Sequence, residues 1–579
     1  MGESSKKYAT DLIVDILKEF NIEYVVANIG SSFRALWESL VNYGNGRPQL
    51  LSVPHEEIAV GIAHGYAKVT KRPIAVLLHD TVGLLHATMA IYNAWCDRVP
   101  VILICANGPL DIKRRRPWID WAHTTLLPNN IIRNYVKWDD YVTSLESYIQ
   151  SFIRAYNIAM ETPNAPVFIG VDVDVLEKEP EKLPEIPKAS YNSTKIYPDI
   201  SMIKKVYDEI SSAENPLIIV GRIGLLHENI SKLITFAELT GSKVIDTLEY
   251  FNFPNTHPLD ATFTNAVQEA DVILAIDTLS LDYYLYKTDK LTRDRKPLFK
   301  QDAKIFVIGN YLINSWSYDY GDLIPAQSIK SDSDTALEAL LSVASTKLIK
   351  KDVINERIQK AKEIHNELRK SWLNEAKSSS GKPISLSKLN LELWNAVKET
   401  GVDWVLTSVS HGSALIWNRK IWDWKKPGCY IGWSRGAGLG YGLPVAIGAS
   451  LALKDKEKIV IDLQPDGDLL YTPSALWVAS HARLPLLVVM YNNRAYYNDA
   501  DHNALIAKTR NRDSEKAFRV GGEIKDPIID FATLARSFGL AGIGPIEDSG
   551  NLLEVFKEAI NTIKEKKIPV LLDIITSTP

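Results

Sequence analysis

Two short polar clusters in the last third of the chain carry oxygen ligands at related positions. The apolar segment 459–463 runs into Asp466-Gly467-Asp468, and the next apolar segment, 486–490, runs into Asn492-Asn493. Both segments are typical of buried parallel strands, with a helix near 474–481 between them. The two clusters should therefore leave the sheet at the same edge, which is where ligands bind to an open α/β sheet.

The residue types in these clusters fit a hard divalent cation that holds a diphosphate. Asp466 offers a carboxylate, Asn493 an amide oxygen and Ala495 its main-chain carbonyl. Diphosphate oxygens could complete the octahedral coordination that Mg²⁺ prefers. Gly467 would permit a sharp turn beside the anion. The simpler alternative is an ordinary strand–turn–helix loop followed by an Asn-Asn turn, but the matched strand ends favour the metal site.

Three stretches of alternating strand and helix patterns position these residues. The first, 1–185, has apolar strand patterns at 24–29, 74–78, 99–105 and 167–171, and helix patterns at 8–20 and 84–95. The second, 195–345, has strand patterns at 216–220, 243–245, 272–276 and 304–308. The third, 380–579, has them at 404–407, 459–463, 486–490 and 570–574. The predicted fold is α/β, with three consecutive doubly wound parallel-sheet domains.

Two connecting segments separate the predicted domains. Residues 177–187 are charged and proline-rich with no hydrophobic period, which is typical of a linker. Residues 347–377 are rich in lysine and glutamate, and this pattern predicts a long surface helix that connects the second and third domains.

Composition excludes several classes of function. The chain has 579 residues, of which 46% are hydrophobic and 23% charged, as in ordinary soluble globular proteins. Lys+Arg 66 against Asp+Glu 70 gives a net charge of −4, so no nucleic-acid partner is expected. The basic run 113–116 is interpreted as a solvated loop, with a polyanion site as the alternative. No apolar run approaches the ~18 residues of a membrane span, and no membrane partner is expected.

Cysteine usage and the start of the chain bear on location. Cys96, Cys105 and Cys429 cannot form a disulfide framework, and the first two lie in apolar stretches that predict buried thiols. This usage suits a reducing compartment. The first residues lack the apolar segment of a signal peptide, so a cytoplasmic location is expected.

The polar clusters resemble the signature of thiamine-diphosphate-dependent enzymes, a Gly-Asp-Gly followed about two dozen residues later by Asn-Asn. This chain reads Pro465-Asp466-Gly467, then 24 residues, then Asn492-Asn493. Proline stands where the family has its first glycine. The resemblance implies thiamine diphosphate as cofactor and Mg²⁺ bound by Asp466, Asn493 and Ala495. It also implies that Gly467 and Asp468 lie at the diphosphate.

A second segment, 55–67, resembles the His-Glu…Gly-Tyr-Ala helix of the same enzymes. The resemblance implies that Glu56 binds the aminopyrimidine ring of the cofactor. A carboxyl that donates to the ring nitrogen favours the imino tautomer, which can remove the thiazolium C2 proton. Apolar neighbours such as Ile58, Ala59 and Ile62 would partly desolvate the carboxyl and keep a proton available. The alternative is a helix N-terminal glutamate favoured by the helix dipole.

A third segment, 435–444, resembles the family's Gly-x-Gly-Leu-Gly…Leu-Pro sequence and does not match the dinucleotide fingerprint. The resemblance implies that the carbonyl of Ala437 accepts a bond from the cofactor and that Leu439 wedges it into a V shape. Packing of a glycine-rich helix is the alternative. Ser410 and His411 fall where family members contact the diphosphate, although the residue types differ.

The family includes acetolactate synthases, benzoylformate decarboxylases and pyruvate decarboxylases. Local motifs of this chain favour the benzoylformate decarboxylase branch. Segments 78–83 and 28–31 resemble benzoylformate decarboxylase, which implies proton transfer by His79 and substrate carboxylate binding by Ser31. The alternatives are a satisfied strand-end histidine and a helix N-cap serine. The second active-site histidine of that enzyme, carried by the middle domain, has no match. Residues 117–124, with Tyr496, Tyr497 and His502, either line a substrate pocket or pack as ordinary aromatics.

The resemblance implies a thiamine-diphosphate- and Mg²⁺-dependent 2-oxo acid decarboxylase with possible carboligase activity. The alternatives are an acetolactate synthase-like carboligase that joins two 2-oxo acids and a cofactor-binding homologue without turnover, the latter suggested by Pro465. FAD is not expected, because the middle unit lacks the motifs that accompany it. Because Glu56 and Asp466 belong to different units and the family's cofactor bridges two subunits, a dimer or tetramer is implied.

Overall fold

The computed structural model describes residues 7–180, 182–189, 191, 194–279, 281–310, 326–409 and 412–578, except for the side chain of Ser413. Within these residues the chain forms three α/β units, each built on a parallel sheet with helices packed against it. The α/β fold class predicted from the alternating patterns is confirmed.

The first unit contains a six-stranded sheet whose described strands are ordered β2-β1-β3-β4-β6-β5, all parallel. The strands are β1 (Tyr24–Ala27), β2 (Gln49–Ser52), β3 (Ala75–His79), β4 (Ile102–Asn107), β5 (Trp138–Val142) and β6 (Val167–Asp172). The helices are α1 (Ala9–Glu19), α2 (Arg34–Glu38), α3 (Glu56–Thr70), α4 (Asp80–Cys96), α5 (Ile119–His123), α6 (Asn129–Ile132), α7 (Leu145–Met160) and α8 (Val173–Glu177).

The middle unit contains a five-stranded parallel sheet ordered β13-β12-β9-β7-β8 and a two-stranded antiparallel ribbon. Its strands are β7 (Pro216–Val220), β8 (Lys243–Asp246), β9 (Val272–Ile276), β10 (Tyr286–Thr288) and β11 (Arg295–Pro297), which form the ribbon, β12 (Lys304–Gly309) and β13 (Ala326–Lys330). Its helices are α9 (Ile200–Ser212), α10 (His227–Thr240), α11 (Ala266–Glu269), α12 (Leu281–Leu285) and α13 (Ser333–Thr346).

The third unit contains a five-stranded parallel sheet ordered β14-β15-β16-β18-β17. Its strands are β14 (Asp403–Ser408), β15 (Lys458–Pro465), β16 (Leu486–Asn492), β17 (Ala541–Ile546) and β18 (Val570–Ile575). Its helices, after the connector α14 (Lys351–Ser378), are α15 (Leu386–Thr400), α16 (Ser413–Ile421), α17 (Gly442–Leu453), α18 (Asp466–Leu469), α19 (Ala475–His481), α20 (Tyr497–Thr509), α21 (Ser514–Arg519), α22 (Phe531–Ser537) and α23 (Leu552–Lys566).

The connecting segments follow their sequence patterns. The proline-rich stretch after Glu177 contains neither helix nor strand among its described residues. The charged connector is α14, which docks through two arginines rather than lying free on the surface. Arg357 is buried and donates to the carbonyl of Thr240, and Arg369 pairs with Asp423 of the third unit at 2.9 Å.

The first and third units pack through two helices that approach closely, α3 and α17. A Cβ atom built on Gly65 would clash with the carbonyl of Val445, and one built on Gly448 would clash with the carbonyl of Ile62. Glycine at these positions therefore allows the two backbones to touch. This contact fixes where the start of α3 lies relative to the glycine-rich segment that precedes α17.

Two features of the surface and interior complete the description. Three residues of the basic run 113–116 bind within the chain: Arg114 pairs with Asp174 at 2.5 Å, Arg115 donates to the carbonyl of Pro109 at 2.7 Å, and Arg116 pairs with Asp120 at 2.7 Å. Cys105 is buried as predicted, whereas Cys96 is only partly buried. Among the described residues, no helix combines the length and apolar character needed to cross a membrane.

Candidate active site

The predicted cation ligands lie together at the carboxyl edge of the third sheet. Strands β15 and β16 are adjacent and parallel, and Pro465 is paired with Tyr491 at the end of the ladder. Asp466 and Asn493 therefore follow neighbouring strand ends, as predicted. Asn493 Oδ1 accepts a bond of 3.0 Å from the amide of Ala495, which closes the turn that brings these two residues together.

The Asp466 carboxylate has the burial and the unpaired oxygen atom that are typical of a cation ligand. Its side chain is 1% exposed, and Oδ2 has no hydrogen-bond partner among the described residues. Burial raises the pKa of Asp466 to about 6. An orphaned, buried carboxylate oxygen is costly unless a cation pairs with it, so the residues present fit a divalent cation.

Pro465 and Gly467 have different local roles from those expected. Pro465 has φ −78°, close to the value that proline imposes, so replacing the family's first glycine introduces no backbone strain here. Gly467 lies in the short helix α18 and is absent from the described positive-φ glycines, so the expected glycine-specific sharp turn is wrong. Its small size matters instead, because a Cβ would lie 2.7 Å from the Tyr496 ring.

Asp468 holds the glycine-rich segment in place. Its carboxylate accepts bonds from the amides of Gly440 at 2.8 Å, Tyr441 at 3.3 Å and Gly442 at 3.0 Å, and from the Gln464 amide group at 2.8 Å. Both oxygens are therefore engaged within the protein. The direct contact of Asp468 with cofactor stays a prediction, and its observed role is to position the segment that precedes α17.

The glycine-rich segment also lies along helix α4 of the first unit. Asn93 donates to the carbonyl of Gly438 at 3.1 Å and accepts from the Gly438 amide at 3.2 Å. On either side of Gly438, Ala437 is exposed and adopts a left-handed φ of 51°, while Leu439 is half-buried. Packing thus explains the neighbouring glycines, and the cofactor contacts of Ala437 and Leu439 stay predictions.

Glu56 begins helix α3 and is buried, with 3% of its surface exposed. Asn28 donates to Glu56 Oε1 at 3.2 Å, and His86 Nδ1 lies 3.3 Å from Oε2. Gly83 leaves room for the carboxyl, since a Cβ there would lie 2.9 Å from Oε1. The helix is capped by the His55 side chain, which accepts from the amide of Glu57. These contacts hold the Glu56 carboxyl in a fixed position, and its donation to a cofactor stays a prediction.

The neighbouring Glu57, which the sequence motif did not single out, faces the third unit. A Cβ built on Gly440 would lie 3.0 Å from Glu57 Oε1. Burial, and next the charge of Asp468, raise the pKa of Glu57 to about 7. Within one chain it is therefore Glu57, rather than Glu56, that meets the glycine-rich segment.

His79 lies at the end of β3, where Gly30 leaves space for its ring. A hydrogen bond of 2.7 Å joins His79 Nδ1 and Ser32 Oγ. Burial, and then the neighbouring His123, lower the pKa of His79. Ser31 is exposed and lies 3.5 Å from the Arg116 guanidinium, so Ser32 is the serine that contacts the histidine. A carboxylate-binding role of Ser31 stays a prediction.

Several residues at this site were missed by the sequence analysis, and Ser410 and His411 lie outside the described residues. The missed residues contact or neighbour the predicted ones and are Ser32, Glu57, His86 and Arg116. Asn28, Asp80 and His123 lie in the segments 28–31, 78–83 and 117–124, which the sequence analysis named without giving these three residues a role of their own. The helix was predicted to begin at residue 84, but α4 begins at Asp80. A prediction that began the helix at residue 80 would have placed Gly83 and His86, which are spaced i, i+3, on the same face.

Two protein-family models match the chain. One, described as the N-terminal TPP binding domain of thiamine pyrophosphate enzymes, matches residues 7–125. The other, described as the C-terminal TPP binding domain of thiamine pyrophosphate enzymes, matches residues 410–574. These ranges contain Glu56 and Asp466, respectively.

Relatives with similar sequences include acetolactate synthases. The mitochondrial catalytic subunit of acetolactate synthase from Saccharomyces cerevisiae is 23% identical over 97% of this chain and 79% of its own length. The acetolactate synthase large subunit of Haemophilus influenzae is 24% identical over 98% of this chain and 95% of its own length.

Similar solved structures include decarboxylases. Benzoylformate decarboxylase from Polynucleobacter necessarius superposes with a TM-score of 0.78 at 19% identity and covers 99% of both chains. The thiamine diphosphate-dependent 4-hydroxybenzoylformate decarboxylase of Rhodococcus jostii gives 0.75 at 19% identity, covering 99% of this chain and 100% of its own. At these identities the likeness concerns the fold.

Proposed function

The chain belongs to the thiamine pyrophosphate enzymes, and from this premise we propose that it decarboxylates a small 2-oxo acid. Thiamine diphosphate, when bound, supplies an electron sink for cleavage of the bond between the keto carbon and the carboxylate. Asp466, Asn493 and Ala495 would hold Mg²⁺ against the diphosphate. Glu56 would hold the aminopyrimidine and keep a proton at its ring nitrogen.

The observation that carries the decarboxylase proposal is the histidine at the substrate end. Aldehyde formation needs a proton at the carbon that loses CO₂, whereas carboligation needs a second carbonyl compound instead. His79 is half-buried, and both Glu56 and Arg116 lie close enough to influence its charge. A histidine held by Ser32 beside the cofactor-activating glutamate supplies the proton that the aldehyde pathway requires.

Carboligation of two 2-oxo acids is the second candidate, because acetolactate synthases are among the relatives of this chain. Both reactions share the metal site and Glu56, and they differ only after CO₂ has left. The arrangement around Asp466 and Glu56 supports both equally, so the product must decide between them.

The experiment compares products from phenylglyoxylate and pyruvate in the presence of thiamine diphosphate and Mg²⁺. Decarboxylation predicts aldehyde release, and acetolactate synthesis predicts acetolactate from pyruvate. Glu56→Gln should lower kcat by about 10²–10⁴-fold, the range typical of a lost proton-transfer group, while cofactor binding measured by calorimetry persists.

Glu146→Gln is the matched control, because Glu146 is an exposed glutamate in the first turn of α7. It tests the alternative that Glu56 acts only as a helix N-terminal charge. Equal activity losses in the two variants would contradict the proposed role of Glu56. Cofactor binding without any product from either substrate would contradict the proposed reaction.

A further inference from the structure

A cavity lies where the three units meet, and it is separate from the candidate active site. Its volume is about 390 Å³. Its wall includes residues that follow α3, β7 and β8 and one residue of the glycine-rich segment, namely Lys71, Arg222, Tyr250 and Arg435. Among the described residues, Glu56, His79 and Asp466 do not belong to this wall. The cavity therefore needs an explanation of its own.

The amino group of Lys71 is held on this wall by two acceptors. Lys71 directly follows α3, and its Nζ donates to the carbonyl of Lys68 at 2.6 Å and to the hydroxyl of Tyr250. The Tyr250 hydroxyl donates its own proton to the same carbonyl, so it can only accept from Lys71. Lys71 forms no ion pair with a carboxylate among the described residues. A neutral amine would use both of its N–H bonds here and keep its lone pair free.

The charges around Lys71 oppose a positive charge on its amino group. Arg222 is 7% exposed, donates to the carbonyl of Arg98 at 3.2 Å and forms no ion pair with a described carboxylate. Lys68 is buried and pairs with Asp97 at 2.6 Å. Burial, and next Arg222 and Lys68, lower the pKa of Lys71 well below its usual value. The Tyr250 ring, 4.2 Å from Nζ, is the opposing contact, since an aromatic face favours the ammonium form.

The acidic side chains of the wall leave Lys71 without a counter-charge. Glu249 pairs with Arg435 at 3.3 Å, and Asp334 pairs with Lys195 at 2.6 Å. The other acids of the wall are not among the groups that shift the pKa of Lys71, and they are Glu228, Asp277 and Asp332. A buried amine beside two cations, with an open cavity in front of it, is suited to react as a nucleophile.

We propose that CO₂ adds to the amino group of Lys71, so that this cavity contains a carbamylated lysine. The carbamate is an anion, and Arg222 and Lys68 supply the positive charge that it needs. The pair of cations that disfavours an ammonium group at this position therefore favours its carbamate. The C-terminal end of α3 opposes an anion, and the two cations offset that effect. The proposal does not rest on the proposed function, because dissolved CO₂ is sufficient as the reactant.

The addition balances in atoms and electrons. The lone pair of Nζ forms the new N–C bond, one electron pair of a C=O bond moves onto its oxygen, and one N–H proton leaves to solvent. A neutral amine and neutral CO₂ thus give a carbamate of charge −1 and one proton. Carbamate occupancy should rise with pH at a fixed concentration of dissolved CO₂. Burial, and next Lys71, lower the pKa of His227, so this neighbour is neutral over that range.

The first test uses the full-length protein without cofactor or substrate. The protein is equilibrated with ¹³C-labelled bicarbonate and CO₂ at pH 8, and its carbamate carbon is detected by ¹³C NMR. Triethyloxonium ion then converts the carbamate into a stable ethyl ester, which peptide mass spectrometry locates. We expect one labelled ester on the peptide that contains Lys71, and its loss in Lys71→Arg.

Lys195→Arg is the matched control, because Lys195 lies on the same wall but pairs with Asp334. This variant should keep the label on Lys71. Absence of label on Lys71 would overturn the proposal, and so would equal labelling of Lys71 and Lys195. A bound ¹³C signal that leaves no ester after treatment with triethyloxonium ion would also overturn it, because bicarbonate would then be bound without a covalent bond.

A second variant keeps Lys71 in place and tests the role of its neighbour. Arg222→Gln should lower carbamate occupancy by about 10-fold or more at the same CO₂ concentration, because a buried anion loses a cation that compensates its charge. Arg72→Gln is the control, since Arg72 is exposed and follows Lys71 directly. Circular dichroism verifies that both variants are folded. Equal occupancy in folded Arg222→Gln and Arg72→Gln would contradict the assigned charge compensation.

The carbamate and the proposed reaction can fail separately. Labelled Lys71 in a protein that releases no CO₂ from phenylglyoxylate or pyruvate would support the carbamate and contradict the proposed function. Release of CO₂ from either substrate by a protein whose Lys71 stays unlabelled would support the function and overturn the carbamate.

Discussion

Glu56 and Glu57 are adjacent in sequence yet face different parts of the molecule. One residue of a helix turns the side chain by about 100°, so neighbouring residues cannot share a face. Glu56 contacts Asn28 and His86 of its own unit, whereas Glu57 lies beside Gly440 and the charge of Asp468. The motif identified the first glutamate because its chemistry was recognisable, and nothing in the sequence placed Gly440 next to the second.

Glu57 gives a prediction about pH and stability. Its pKa in the folded protein is about 7, above the value of about 4.3 in an unfolded chain. At a pH between these two pKa values, Glu57 has lost its proton in the unfolded chain but keeps it in the folded protein. The contribution of Glu57 to the free energy of unfolding therefore falls as pH rises through this range. Glu57→Gln should remove this decline. Denaturant unfolding from pH 4 to 8 should show the wild type losing stability relative to the variant, and parallel profiles would contradict the expectation.

Asp466 gives a prediction about the metal. Because the metal and a proton compete for its carboxylate, Mg²⁺ affinity should fall as pH drops through about 6, the pKa of this group in the metal-free protein. Asp466→Ala should raise the Mg²⁺ concentration for half-maximal cofactor binding by more than about 100-fold, since even outer-shell substitutions reach that value. Asp501→Asn, a partly exposed acidic side chain on α20, is the control. Equal Mg²⁺ requirements would contradict the assignment.

At the scale of elements, the strands predicted from sequence are the buried ones. Four strands of the parallel sheets were missed, β2, β5, β13 and β17, and all four lie at sheet edges. These four strands expose part of their surface, so their sequences lack a continuous apolar run. The edge strands β8 and β14 are mostly buried and were predicted. The strand 541–546 illustrates this, because five of its six residues are only partly buried and it contains two glycines and a proline. The ribbon of β10 and β11 is short and polar and was missed for the same reason.

Contacts between helices are harder to predict from the sequence than the positions of the helices along the chain. The apolar pattern of α17 runs all round the helix, which indicates burial without indicating the partner. The partner is α3, and glycines on both helices permit the contact. Only the structure shows that the helix carrying Glu56 is held by the helix that follows the glycine-rich segment.

Gly448 gives a prediction at this scale. Gly448→Ala places a methyl group against the carbonyl of Ile62, a backbone atom that cannot move aside without shifting α3. Overpacking of this kind should lower the free energy of unfolding by about 1–3 kcal/mol. Gly550→Ala is the matched control, because the nearest atom to its Cβ is the side-chain oxygen of Asp548 at 3.3 Å. Equal unfolding free energies for the two variants would contradict the packing argument.

At the scale of the whole molecule, the two halves of the site belong to separate units. The contacts of Glu56 come from Asn28, Gly83 and His86 of the first unit, and Asp466 lies at the edge of the third sheet. Since Glu57 and Asn93 occupy the contact with the glycine-rich segment within one chain, we propose that Glu56 serves the cofactor of a second copy. A symmetric dimer would then contain two equivalent sites.

The sequence predicted the strand-end position of the metal ligands because parallel topology forces carboxyl ends to one edge. It could not predict that Ser32 and His123 contact His79, since both residues come from segments distant from His79 in the chain. Tertiary contacts between distant segments leave no periodic pattern in a single sequence. The assembly likewise stays a prediction, because it depends on surfaces rather than on spacing.

The most direct measurement mixes two inactive variants, Glu56→Gln and Asp466→Ala, under conditions that allow subunits to exchange. If the cofactor lies between two copies, each mixed dimer has one site with both residues intact, and activity should return to about a quarter of the wild-type value. Mixing Glu56→Gln with His79→Ala is the control, because both residues belong to the same unit and no site is repaired. No recovery in the first mixture, despite exchange, would contradict the proposal that Glu56 of one chain meets Asp466 of another.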